Sequence, residues 1–337
     1  MSESTENKKE RQESVKLDEI MRLLFDMSKE TLVNMLNGLF GETLDPALVD
    51  ITKDNAKFVN EQLEIIEGDL FLRVTKPLVK PYLFHIEFQT AEDKEMAIRV
   101  LRYDLNKAVE NQRLTGNNNE FILYMPKSLV IHIEAHESIP DEYKATIIFA
   151  DGDTKELKVP VLKYWQLSDE YLIKNNLFPL LPLKIFLLRA ELDRLTRNKD
   201  VQAKQEVILR ARDIAEKIAK EAAELNTIDI LIDDDFKKVL KVISNLFEHL
   251  NNRYEVDKNL NSEVKTMTEL VFDNTAYTRG ERNGEYKGEH KKAVEMAKKM
   301  LLDNEPLERI IKYTGLTEKE IKETQNTIEA RAKPEKN

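Results

Sequence analysis

The 337-residue chain contains no cysteine. Disulfides, thiolate-liganded zinc, iron–sulfur clusters and thiol nucleophiles are therefore excluded together. Glycine (9) and proline (10) are scarce, which excludes collagen-like and low-complexity classes. No long hydrophobic run is present. The most apolar stretch, Leu177 to Leu188, is broken by Pro179, Pro182 and Lys184, and it falls short of the ~20 residues a bilayer-spanning helix needs. Residues 1–16 are polar, with no apolar signal-peptide core. Together these features predict a cytoplasmic protein with no membrane association. A basic excess is missing too: 52 Lys and Arg face 62 Asp and Glu, for a net charge of −10. The molecule as a whole lacks the positive footprint of a nucleic-acid binder. Screening within ~8–10 Å at physiological salt still leaves room for a local basic groove. Phosphate-binding Gly-x-x-x-x-Gly-Lys-Ser/Thr loops, Gly-x-Gly-x-x-Gly turns and Gly-x-Ser-x-Gly elbows are absent. Nucleotide hydrolysis, dehydrogenase and esterase readings have no support.

What is present suffices for a sizeable core: 41% hydrophobic residues with 34% charged ones. The length allows roughly two domains at about 150 residues each. Residues 1–16 read as a disordered tail. Helical stripes begin with Ile20, Leu23, Leu24 and Met27, then Leu32, Val33, Leu36, Leu39 and Phe40, stopped by Gly41. The pattern then changes to period two. Leu70, Leu72 and Val74 share one strand face, and Asp69, Phe71 and Arg73 the other. Phe84, Ile86 and Phe88 oppose His85, Glu87 and Gln89 in the next strand. A helix is expected from about Asp93 to Leu114, with Ala97, Leu101, Leu105 and Ala108 inward. A strand over Leu129–Glu134 and a hairpin, Ala145–Phe149 with Glu156–Leu162, turned at Asp151-Gly152-Asp153, complete a β-β-α-β order. From about Phe186 onward the chain reads helical, with stripes at Ile208, Ala211, Ala215, Ile218 and Ala222 and at Phe236, Val239, Leu240, Ile243, Leu246, Phe247 and Leu250.

The chemistry-bearing stretch runs from Asp69 to Tyr103. Glu87 and Gln89 stand two apart on a strand and point to one face. The 18 residues from Asp69 to Glu87 leave room for a strand and its return, so the two carboxylates can converge on one hard cation. Magnesium is bound by one or two carboxylates completed with water and phosphate oxygens. Such an ion activates water and offsets charge in phosphodiester hydrolysis. Arg99 and Tyr103, four apart, share a helix face.

This ordered set, Asp69 with His85-Ile86-Glu87-Phe88-Gln89 and Arg99-Val100-Leu101-Arg102-Tyr103, resembles the PD-(D/E)XK nuclease superfamily. More narrowly it is similar to the Rpn-like family of recombination-promoting nucleases and transposases. The likeness extends through Lys127–Trp165, Leu180-Leu181-Pro182-Leu183 and the Gly280–Lys322 segment with its Thr314-Gly315-Leu316 ending. It implies an α/β fold, a restriction-endonuclease-like mixed sheet flanked by helices over residues 17–190. A helical region (191–275) and a glycine-spaced joint with a helix-turn-helix-like segment (276–337) would follow. It also implies a Mg²⁺- or Mn²⁺-dependent DNA endonuclease acting in recombination or mobile-element processing. In that reading Asp69, Glu87 and the Phe88 carbonyl bind metal, Gln89 positions water, Arg99 or Tyr103 assists, and Asp26 or Glu30 adds an acid. Gln89 stands where the wider superfamily has lysine. It can orient a water but brings no charge.

The bland alternatives run beside these. Glu87 and Gln89 can be a solvated strand face, and Arg99 and Tyr103 an exposed helix pair. His132, Glu134 and His136 alternate like a solvated face rather than a zinc motif. Trp165 reads as a packing residue. Gly280, Gly284 and Gly288 mark a joint in preference to a helix–helix contact. Thr317 and Glu320 form a capping box after Gly315. That final helix bears Glu318, Glu320 and Glu323, so protein contact competes with DNA reading. The alternative function is a weak or degenerate nuclease fold acting as a DNA- or protein-binding assembly module, with homo-oligomers as an expected form.

Overall fold

The computed structural model describes residues 23–54, 57–59, 65–67, 70–77, 81–111, 113–114, 120–257 and 259–332. In chain order the strands are β1 (Asp50–Asp54), β2 (Lys57–Val59), β3 (Ile65–Glu67), β4 (Leu70–Thr75), β5 (Tyr82–Gln89), β6 (Arg113–Leu114), β7 (Phe121–Ile122), β8 (Lys127–His132), β9 (Glu142–Ile148) and β10 (Thr154–Lys163). A mixed six-stranded sheet has the order β1-β4-β5-β8-β10-β9, and β2–β3 and β6–β7 form separate small hairpins. The strands β1, β4 and β5 run antiparallel, with Leu70 opposite Ile86 and Phe71 opposite His85. The pairs β5–β8 and β8–β10 are parallel, with His85 opposite Ser128 and Glu87 opposite Val130. The expected hairpin forms as β9–β10, turned through Gly152 at φ +92°. Strand β1, the partner of β4, has no counterpart in the expected order.

Period-two alternation gives the sheet two different faces. Leu72, Val74, Phe84, Ile86, Leu129 and Ile131 line one of them, as their spacing predicts, and enter the main apolar core. That core is closed by α1 (Lys29–Phe40). Further along the chain come α2 (Met96–Glu110), α3 (Asp169–Lys174), α4 (Leu183–Phe186), α5 (Arg189–Arg197), α6 (Val201–Thr227) and α7 (Asp233–Tyr254). The stripes Ile208–Ala222 of α6 and Phe236–Leu250 of α7 are buried as read. The helices of the 191–254 stretch share this one core with the sheet. Helix α1 ends at Gly41, φ +65°. Asp235, in the acidic first turn of α7, accepts from Ser28 N (2.8 Å), Ser28 Oγ (2.6 Å) and Thr31 Oγ1 (2.7 Å), tying α1 to α7. Beside the lone tryptophan it is Tyr164 that is fully buried, donating to the Leu180 carbonyl at 2.8 Å, while Trp165 is half-buried.

The other sheet face is covered by α2. This helix is shorter than expected, and its phase differs. Met96, Ala97, Val100, Tyr103, Asp104, Lys107 and Ala108 face inward, while Leu105 is exposed. A polar network in the seam, described below, draws Asp104 and Lys107 inward at the expense of the leucine. A small apolar cluster of Met96, Val100, Val130 and Val159 fills the rest of the seam.

The chain divides into two compact units, Met1–Phe272 and Asp273–Asn337. The helix α8 (Asn259–Leu302) runs unbroken through Gly280, Gly284 and Gly288 rather than pausing there. Among the described residues nothing lies within 4 Å of where their Cβ atoms would stand. In the second unit α9 (Leu307–Thr314) and α10 (Glu318–Ala332) pack Ile310, Leu316 and Ile321 around Ala297. The capping box forms: Thr317 N donates to Glu320 Oε2 at 2.7 Å, and Glu320 N to Thr317 Oγ1 at 3.4 Å. Hydrogen bonds to both groups of Thr317, then to His290, hold the Glu320 carboxyl down at about 2. No described helix is long and apolar enough to cross a membrane.

Candidate functional site

The odd-numbered side chains of β5 point beneath α2. His85 and Glu87 are both buried, so the second face of the strand is not a solvated one. Glu87 Oε1 meets His85 Nε2 at 2.9 Å, and its Oε2 accepts from Arg99 Nη2 at 3.2 Å. Arg99 stands one turn into α2 and also donates from Nη1 to Asp93 at 3.0 Å. Its side chain is 31% exposed while that of Glu87 is 3% exposed. The guanidinium therefore lies between a buried carboxylate and solvent. Its Nε is buried with no partner among the described residues.

Behind Glu87 the network continues inward. His85 Nδ1 meets Asp104 Oδ1 at 2.7 Å, and Ser128 Oγ donates to Asp104 Oδ2 at 2.5 Å. The Phe71 ring stacks on the imidazole, centroids 4.2 Å apart and 11° from parallel, and Tyr103 meets it edge-on at 5.9 Å. Burial alone would lower the His85 pKa, but hydrogen bonds to Asp104 and Glu87, with their charges, outweigh it and hold it up at about 9. At neutral pH both ring nitrogens thus donate to carboxylates. Lys107, also buried, places Nζ 2.7 Å from Glu110 and 3.5 Å from Asp54, and 5.3 Å from the centroid of the Phe71 ring.

The residues singled out in the sequence come to the following places. Glu87 and Arg99 are brought together as an ion pair. Tyr103 packs on His85 instead of facing outward. Phe88 turns its ring to the core face, 5.5 Å from Phe25. Gln89 is half-buried at the strand end, where its main-chain oxygen accepts from Ile133 N at 2.8 Å. Asp69 lies outside the described residues. Asp26 is exposed and paired with Lys53 at 3.1 Å and Lys238 at 3.4 Å, and Glu30 is exposed in the first turn of α1. His132, Glu134 and His136 go to separate partners. His132 bonds Tyr143 Oη at 2.8 Å, Glu134 accepts from Arg189 at 2.6 Å, and His136 bonds Ser138 at 2.8 Å. Burial, then the nearby Arg99 charge, holds His132 down at about 4, so it is a neutral imidazole.

His85, Asp104, Lys107 and Ser128 belong to the site and were not singled out. The one signal available was the position of His85, two residues before Glu87 on the same strand face.

Among the described residues no group of three or more histidines and acids is arranged to hold a metal ion. Glu87 and the Phe88 carbonyl are nevertheless hard oxygen donors. Each carboxylate oxygen has more than one lone pair, so the bonds to His85 and Arg99 do not saturate it. This donor set suits an ion of the magnesium type, completed by water and phosphate, and not an all-protein cage. No protein-family model, no curated protein and no solved structure matches the chain.

Proposed function

We propose that the protein is a Mg²⁺- or Mn²⁺-dependent DNA endonuclease with a restriction-endonuclease-like core, akin to the Rpn-like recombination-promoting nucleases. The supporting observation is a buried, ionised carboxylate at the end of a central strand, covered by a partly exposed arginine. Leu70 pairs with Ile86; Asp69 precedes the first of these in the chain and Glu87 follows the second. In this reading Asp69, Glu87 and the Phe88 carbonyl hold the ion. Lewis-acid activation of the phosphodiester and its attacking water is what a bound ion supplies. The chain's own contribution is placement. His85 keeps Glu87 ionised. Arg99 offers donors to a phosphate oxygen as a point of planar, charge-assisted recognition. The Gln89 amide orients a water without adding charge, so the site leans on its metal.

Supercoiled plasmid tests the proposal. Wild-type protein should nick it with Mg²⁺ or Mn²⁺ and stop on addition of EDTA. Glu87→Gln and Asp69→Asn should each lose at least about 100-fold in rate, as loss of a charge-stabilising group at a reacting centre does. Undiminished metal-dependent cleavage by both variants would overturn the assignment.

A second reading, a nuclease fold kept as a binding or assembly module, draws on the fact that both Glu87 oxygens are engaged by cationic side chains and on the net charge of −10. Metal-dependent turnover by the pure wild-type chain eliminates it.

A further inference from the structure

We infer that His85 and Asp104 are positioning residues, which hold and aim the Glu87 carboxylate for a divalent cation through a buried relay anchored on Ser128. The inference rests on the reading of Glu87 as a metal ligand and adds the groups that make it one.

The relay joins three elements. Ser128 on β8 donates to Asp104 on α2, at 2.5 Å. Asp104 accepts from His85 Nδ1 on β5, at 2.7 Å, and His85 Nε2 donates to Glu87 Oε1, at 2.9 Å. His85 and Ser128 are register partners on adjacent parallel strands, so the first and third members are fixed relative to each other by the sheet. The imidazole has no rotational freedom left. Its plane is set by Phe71 stacked at 4.2 Å and Tyr103 edge-on at 5.9 Å, and its in-plane angle by a carboxylate at each nitrogen. Both nitrogens are spent on these acids, and the ring is fully buried. His85 therefore has no group to offer a substrate and can act only through Glu87.

A purely structural role explains the network poorly. The same helix–sheet seam is closed by plain apolar packing among Met96, Val100, Val130 and Val159. Buried ionic groups are commonly no more stabilising than apolar residues of similar volume. What the relay has that an apolar seam lacks is a directed donor on Glu87. Groups of this kind, one shell behind a metal ligand, typically alter metal affinity by about 10–100-fold.

Mn²⁺ binding to the full chain, read by electron paramagnetic resonance of the free ion and without added DNA, tests this. Expected results are about 10–100-fold weaker binding for His85→Ala, with binding regained on adding imidazole to the cavity, and a loss of similar sign for Asp104→Asn. Circular dichroism and melting report whether each variant folds. If His85→Ala does not fold, Asp104→Asn and the milder Ser128→Ala decide alone. Folded variants that bind Mn²⁺ as the wild type does would overturn the positioning role and leave the Glu87 assignment standing. Wild-type binding that is absent, or unchanged by Glu87→Gln, would overturn the assignment itself and this inference with it.

Discussion

In EDTA the protein should lose stability as pH rises through the range in which most proteins are insensitive, and His85 should account for the loss. In the unfolded chain the imidazole titrates near its ordinary value of 6.5; in the fold it is held up at about 9. A base whose folded pKa exceeds its unfolded one stabilises the native state fully below the lower value. That contribution fades as pH climbs and is gone above the upper value. At about 1.4 kcal/mol per pH unit, the interval from 6.5 to about 9 corresponds to about 3 kcal/mol. That is a large part of the 5–15 kcal/mol typical of a domain. Urea unfolding of wild type and His85→Asn, from about pH 6 to about pH 9.5, isolates the effect, because every other titration is common to both and cancels in the difference. The wild-type advantage should shrink by about 3 kcal/mol across this window, and a ¹⁵N-labelled imidazole should titrate at its upper end. A gap between the two proteins that stays constant from pH 6.5 to 9 would refute the reasoning. His85 would then be neutral in the fold, and the charge balance drawn around Glu87 and Asp104 would be wrong.

Two predictions concern glycines, with opposite signs. Gly38 lies on α1, where an added Cβ would fall well inside van der Waals contact with the Asn175 carbonyl oxygen and 3.0 Å from Leu177 Cδ2. Backbone cannot yield as a side-chain tip can, so Gly38→Ala should cost about 1–3 kcal/mol or more in urea unfolding. Wild-type stability in that variant would show that α1 does not press on this turn. Gly280, Gly284 and Gly288 are helical with open space around each, among the described residues. Replacing all three with alanine should slow amide exchange along 280–288, each change adding up to ~1 kcal/mol of helix propensity. Faster exchange would mean that the native backbone there is not helical.

What could be read from the sequence was local or strictly periodic. Leu72, Val74, Phe84 and Ile86 are where a period of two puts them, because a large apolar core selects that face. Ile208 and Ala215, or Phe236 and Ile243, follow the helical period for the same reason. The Thr317–Glu320 cap spans three residues and needs no other part of the fold. The candidate site is of another kind. Its bonds close over 12 residues (Arg99–Glu87), 19 (His85–Asp104) and 24 (Ser128–Asp104), between elements whose pairing a pattern of polarity does not encode. His85 and Glu87 alternate with Phe84, Ile86 and Phe88 as residues of a solvated face would. Alternation records which side chains are polar, and only a second layer determines whether they are wet. That layer is α2, and scoring it by apolarity turns the wrong side inward, placing Leu105 in the seam and Asp104 outside. The reversal costs an exposed leucine. It is offset because Asp104, Lys107, His85 and Glu87 each find an opposite charge in the seam, and a buried charge left unpaired would cost more than the leucine returns. The energetics of the pairs therefore set the helix phase, and the phase in turn places Arg99 over Glu87.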